Sequence, residues 1–166
     1  MSLEVFNFDQ FEMIARALTR LVKEEPATEI QGGLVEHPFD ARNIHPLLPQ
    51  KARALFDDGH FSESTFEAFK FVDRFVGSHA HVSESGFKLM MAAFDEASPK
   101  LRLTPMKTTS EKDEQKGYRF IFAGGVLAIR NPRGHEYNIT DDPDICLDHL
   151  SFLSMLLRRL ERAGFR

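Results

Sequence analysis

A chain of 166 residues that is 42% apolar, with sixteen phenylalanines and no tryptophan, is large enough for one ordinary domain with its own core. Its formal charge of −4 argues against broad nonspecific binding of duplex nucleic acid, which needs a basic surface, but permits a local basic patch on a single strand. The one cysteine, Cys146, excludes an intrachain disulfide framework, and no apolar run is long enough to span a bilayer, so a cytoplasmic protein with no membrane partner is expected.

Asp9 and Glu12 form a capping-box pattern. Phe11, Ile14, Ala15, Leu18, Leu21 and Val22 follow at helical spacing, which predicts a helix over residues 9–24 that stops before Pro26. Residues 25–44, with Gly32, Gly33 and Pro38, read as a long connection, either an arm wrapping the domain or a tether for the first helix. The chain therefore divides into an N-terminal helix and arm over residues 1–42 and a main helical domain over residues 43–166.

Pro46 suits the first turn of the next helix, which Leu48, Ala52, Leu55 and Phe56 continue to Asp58-Gly59. Ser62 is the expected N-cap of a helix with Phe66, Phe69, Val72 and Val76 on one side and Gly77 as its terminator. The short link between these two predicts an antiparallel pair. A further helix over residues 84–97 buries Phe87, Met90, Met91 and Phe94, and residues 99–117, rich in threonine and mixed charge, read as a surface loop.

Helical spacing resumes over residues 118–130 through Phe120, Ile121, Gly124, Leu127 and Ala128, although the β-branched and aromatic content also permits a strand. Gly124 and Gly125 each weaken a helix by roughly 1 kcal/mol relative to alanine, a cost that a close helix crossing, within the fold or across a dimer, would explain. Asp142-Pro143 is a cap and first-turn pair for a last helix with a stripe of Ile145, His149, Phe152, Leu153, Leu156, Leu157 and Leu160. The expected fold class is all-α.

Arg130-Asn131-Pro132-Arg133-Gly134-His135 is the segment least explained by a core. Pro132 removes an N–H and disfavours the α region at Asn131, so the helix should end or kink there and turn His135 back toward Arg130, with Asn131 capping the new turn. An arginine fork that clamps phosphate beside an imidazole that exchanges protons near neutrality suits phosphodiester cleavage in RNA, where the 2′-hydroxyl supplies the nucleophile. The bland alternative is a turn with an exposed histidine and a paired arginine.

Four stretches in order, Leu55 to Phe61, Ala68 to Asp73, Gly86 to Met90 and Gly124 to His135, make residues 43–161 resemble the C-terminal domain of prophage-associated Ymh-type proteins. The hexapeptide also resembles the arginine–polar–four-to-six–histidine motif of the HEPN (higher eukaryotes and prokaryotes nucleotide-binding) superfamily, at the short end of its spacing. The resemblance implies a HEPN-like helical bundle carrying an additional N-terminal helix, and a homodimer whose two motifs line one RNA-facing cleft. It also implies metal-independent endoribonuclease activity without a cofactor, in a phage-defence or toxin-like setting with an antitoxin or defence-system partner.

By the same resemblance Arg130 and His135 are the catalytic pair, Asn131 is the polar residue after the arginine, and Asp73 is the acidic residue from an earlier helix. Asp73 alternatively pairs with Lys70 or Arg74. Arg133 is a candidate RNA phosphate contact, with solvent exposure as the simpler expectation, and Tyr137 is a candidate base-stacking residue. His149 is expected to be a satisfied core or interface histidine. Cys146, His149 and His135 lack structural zinc spacing, so no metal site is expected. Two other functions remain open: a noncatalytic RNA-binding or protein-interaction module, and a phage structural protein.

Overall fold

The computed structural model describes residues 36–136 and 139–166, so the helix expected over 9–24, most of the arm and Tyr137 lie outside the described residues. Within those limits every regular element is helical. The elements are α1 (Pro38–Ala41), α2 (Gln50–Asp57), α3 (Phe61–Ala80), α4 (Gly86–Ala93), α5 (Thr109–Gly125), a π-helical turn (Val126–Arg130), α6 (Asn131–His135) and α7 (Pro143–Arg162).

The fold is organised around α3, which packs against α2, α4 and α7. Ala68, Phe69, Val72, Val76 and Ala80 fall at helical spacing and are all buried, so one face of α3 supplies a continuous apolar ridge. The α2–α3 pair is close because Ser64 is fully buried and its hydroxyl donates to the Ala52 carbonyl at 2.7 Å. Phe39, Phe56 and Phe61 pack in series, tilted and then edge to face, with centroids 5.2 and 5.1 Å apart. The last helix contributes Leu147, Leu150, Leu153, Leu156, Leu157 and Leu160, all buried, to the same core.

Helix boundaries differ from the sequence expectation wherever a local signal was taken up by tertiary contacts. Helix α2 begins after Pro49 rather than at Pro46. His60, not Ser62, stands at the N-cap of α3, because the Ser62 hydroxyl is engaged with the chain around residue 140. Gly77 does not end α3; a Cβ there would lie 3.5 Å from Leu89, so this glycine marks close passage of α4, and the helix runs on to a left-handed His81. Helix α4 covers only Gly86–Ala93 of the 84–97 expected.

The segment expected to be a surface loop is partly core. Leu101 and Leu103 are buried, and α5 starts at Thr109 behind a complete capping box of Thr108 and Glu111. Gln115 is wholly buried: its amide oxygen accepts from the Leu103 N–H, and its amide nitrogen donates to the carbonyls of Leu101 and Phe94. A buried amide so fully partnered fixes the loop on α5.

Helices α5 and α7 run antiparallel. Arg159, near the end of α7, reaches Glu114 and the Tyr118 ring in the first half of α5, while Phe152 lies against Gly125 at its end. A Cβ on Gly125 would come within 2.7 Å of Phe152, so glycine here admits the ring of Phe152 from α7 rather than a close approach of two helix backbones. Among the described residues Gly124 has nothing within 4 Å of such a Cβ. Among the described residues no helix is long and apolar enough to cross a membrane.

Candidate functional site

The hexapeptide does not break the helix. Asn131 keeps α geometry (φ −65°, ψ −43°), and Pro132 sits in the first turn of α6, where a backbone donor is least needed. The chain accommodates the proline by widening the preceding turn: Val126–Arg130 is π-helical, and the Asn131 N–H donates to the Val126 carbonyl five residues back. The helix end expected at the proline is therefore absent, and His135 continues the helix that carries Arg130. Along a continuous helix, residues five apart point about 140° from one another.

A chain of polar contacts pins this segment to α3. The Ser62 hydroxyl donates to the Ile139 carbonyl at 2.8 Å and accepts from the Asp141 N–H at 3.1 Å. Asp141 in turn takes both arms of the Arg133 fork, Nε and Nη2, at 2.6 Å each. The third nitrogen, Nη1, donates to the Ile129 carbonyl in the π turn at 2.8 Å. The two charged side chains are only 9% and 5% exposed, so the expectation of a solvent-exposed Arg133 does not hold. A buried bidentate pair tied into backbone at both ends orients the segment.

Arg130 is held differently. Its guanidinium lies over the Phe66 ring, 5.4 Å from the centroid, and Nη1 donates to the Asn131 side-chain oxygen at 3.1 Å. Arg53, Arg119, Arg133 and Arg159, which like Arg130 are partly buried, each carry a carboxylate, and the partly buried Arg158 donates to the Asn43 carbonyl. Among the described residues Arg130 has no carboxylate, and its buried Nε has no acceptor. An aromatic face attracts a cation without cancelling its charge, so this guanidinium is fixed in place with its charge intact. Phe66 also packs on Gly134, where a Cβ would meet the ring at 2.8 Å; glycine is the residue that lets α6 lie this close to α3.

The other candidate residues are dispersed. His135 closes α6 and is exposed. Asp73 meets neither His135 nor Arg130 in a hydrogen bond; its carboxylate accepts from the Gly86 N–H at 2.6 Å and so anchors the start of α4. Nor does it pair with Lys70, whose partner is Glu67 at 3.0 Å. Gly86, at φ +62°, is itself a neighbour of the site, because a Cβ on it would lie 3.9 Å from Arg130 Nη1. Asn131 caps nothing and instead accepts from Arg130.

His149 is not a satisfied core histidine. Its Nδ1 is buried without a partner among the described residues, and burial, helped by the positive charge of Arg133, lowers its pKa below the usual imidazole value. Burial raises the Cys146 thiol pKa, which leaves this cysteine inert inside the core. Among the described residues no three His, Cys, Asp or Glu side chains converge as a metal site.

Phe66, Ser62 and Asp141 were not singled out for the site by the sequence. Phe66 shares the spacing of the α3 core face, and Asp141 lies eight residues from Arg133, where no helical rule pairs them. Among the described residues the structure thus defines an all-helical domain in which a partly buried arginine lies on an aromatic platform without a carboxylate partner. Residues 42–160 match the family described as "Protein of unknown function (Hypoth_ymh)", and the chain belongs to it. No curated protein and no solved structure matches the chain.

Proposed function

We propose that this domain binds single-stranded RNA through Arg130 and cleaves it as a metal-independent endoribonuclease of HEPN type, acting as a homodimer. The observation that carries the reading is the Arg130 guanidinium: partly buried, oriented by Phe66 and Asn131, and without a carboxylate among the described residues. A phosphate would supply the missing anion and an acceptor for the buried Nε.

In this scheme the RNA 2′-oxygen attacks the adjacent phosphorus as His135 takes its proton. The bond to the 5′-oxygen breaks, the leaving oxygen is protonated from water, and the products are a 2′,3′-cyclic phosphate and a 5′-hydroxyl. Arg130 neutralises charge gathering on the non-bridging oxygens. Because Arg130 and His135 diverge within one chain, the reading assigns completion of the cleft to the second copy.

The surface that suits a second copy is the outer side of α5 and the π turn. Phe120 and Leu127 are about half exposed there, at 53% and 50%, with Gly124 open between them. Two apolar residues flanking a glycine allow two copies of the same helix to approach closely about a two-fold axis. A phage-defence or toxin-like role, with an antitoxin or defence-system partner, belongs to the same proposal.

The test is incubation of full-length wild type, Arg130→Ala and His135→Ala with unstructured RNA, in chelator and in magnesium. Wild type should cleave equally in both, leaving 5′-hydroxyl ends, and His135→Ala should lose about 10²–10⁴-fold. Equal cleavage by all three proteins sinks the assignment. The exposed, unbraced His135 favours a second reading, a noncatalytic RNA-binding module, which predicts binding by wild type without cleavage.

A further inference from the structure

Three more charged groups lie beside Phe66. Lys70, one turn further along α3, places its ammonium 5.9 Å from the centroid of the same ring that carries Arg130. Lys70 pairs with Glu67 at 3.0 Å, and Lys51 from α2 reaches the same Glu67 oxygen at 3.2 Å. Burial alone would raise the Glu67 pKa, but the hydrogen bonds from Lys70 and Lys51 outweigh it and hold the carboxyl below its ordinary value.

One ammonium is enough to neutralise one carboxylate, so the second lysine is surplus to the needs of the fold. Lys51 is 64% exposed and Lys70 33%, so both can reach an incoming ligand, while Glu67 is only 18% exposed. With Arg130 the group carries a net positive charge on a chain whose overall charge is −4. Like charges brought together on one neutral ring repel, and an anionic strand laid across them relieves the repulsion.

We infer that Lys51, Lys70 and Arg130 form one track for successive phosphates of single-stranded RNA, with Phe66 as its uncharged spacer and Glu67 as an internal competitor for the two lysines. The track runs from α2 across α3 to the π turn and sets the direction in which the strand enters. This inference rests on the reading of Arg130 as a phosphate clamp and adds where the neighbouring phosphates go.

The test uses the full-length His135→Ala protein, which keeps the RNA intact, and a labelled single-stranded RNA oligonucleotide titrated across a series of salt concentrations. Lys70→Gln should weaken binding about fivefold at 0.1 M monovalent salt and reduce the slope of log affinity against log salt by about 0.7, the value of one lost single-strand phosphate contact. Glu67→Gln should tighten binding, because it releases both lysines; a purely structural role for the lysines predicts the reverse.

If Lys70→Gln leaves affinity and slope unchanged while Arg130→Ala lowers both, the track is wrong and the Arg130 clamp stands. If neither substitution matters, or the protein does not bind RNA, the track fails and cleavage by wild type decides the proposed function separately. Competition by polyglutamate as effective as by RNA would assign the cations to an acidic protein partner and overturn the inference.

Discussion

His149 illustrates how little of a side chain's state can be read from its position on a helix. It occupies the stripe of α7, yet its Nδ1 is buried without a hydrogen-bond partner among the described residues, and burial with the nearby Arg133 charge lowers its pKa from 6.5. The folded protein therefore binds this proton less readily than the unfolded chain does. The contribution to stability is complete above pH 6.5 and declines as pH falls from there toward the lowered folded value, because the unfolded state gains the proton first. His149→Gln should remove that component. Melting temperatures between pH 7.5 and 5.5 should fall more steeply for wild type than for the variant, and parallel profiles would contradict the assignment.

Two of the three glycines in α5 have like backbones and unlike surroundings. Among the described residues Gly117 has nothing within 4 Å of an added Cβ, whereas Gly125 faces Phe152 at 2.7 Å and Phe69 at 3.4 Å. Gly117→Ala should stabilise the domain by up to ~1 kcal/mol through helix propensity alone. Gly125→Ala should destabilise it by about 1–3 kcal/mol, because the two rings it would displace are packed on both sides. Urea denaturation of the two variants gives the signs, and a common sign would show that α5 and α7 do not pack as described.

The same elements show what the sequence made legible. The stripes of α3 and α7 and the Asp142 cap are local patterns, and the all-α class follows from them. The reach of α3 past Gly77 and the burial of Leu101 and Leu103 depend on partners far along the chain. The course through Pro132 was misread for another reason: proline rules assume an α turn before the ring, and here the turn is wider. Within the site, Arg130 and His135 were legible as residue types out of place in a core. The platform beneath Arg130 and the Ser62–Asp141–Arg133 brace were not, since each joins residues with no periodic relation.

At the scale of the whole molecule, the proposed second copy is the outstanding partner. Phe120 and Leu127 expose about half their surfaces, and among the described residues nothing lies within 4 Å of a Cβ on Gly124 between them. Replacing both side chains with glutamate places charge where the monomer already faces solvent, so the fold should persist, while a two-fold contact would bring the new charges together. Sedimentation equilibrium should report a dimer for wild type and a monomer for Phe120→Glu/Leu127→Glu, with RNA cleavage lost alongside. A monomeric wild type would remove the dimer from the proposal.

The π turn has one more consequence. A wide turn holds one residue more than an α turn, so all that follows is set back by about one residue's rotation, ~100°. Deleting a single residue from Val126–Ile129 would let the ladder close in ordinary register and remove that setback, so the hexapeptide would keep its bearing, with Arg130 still on Phe66 and Arg133 still on Asp141. Closing the turn to α with every residue retained would instead swing both cations away from those neighbours. Two chains differing only by that gap would therefore share a core, a motif and the aim of their cations.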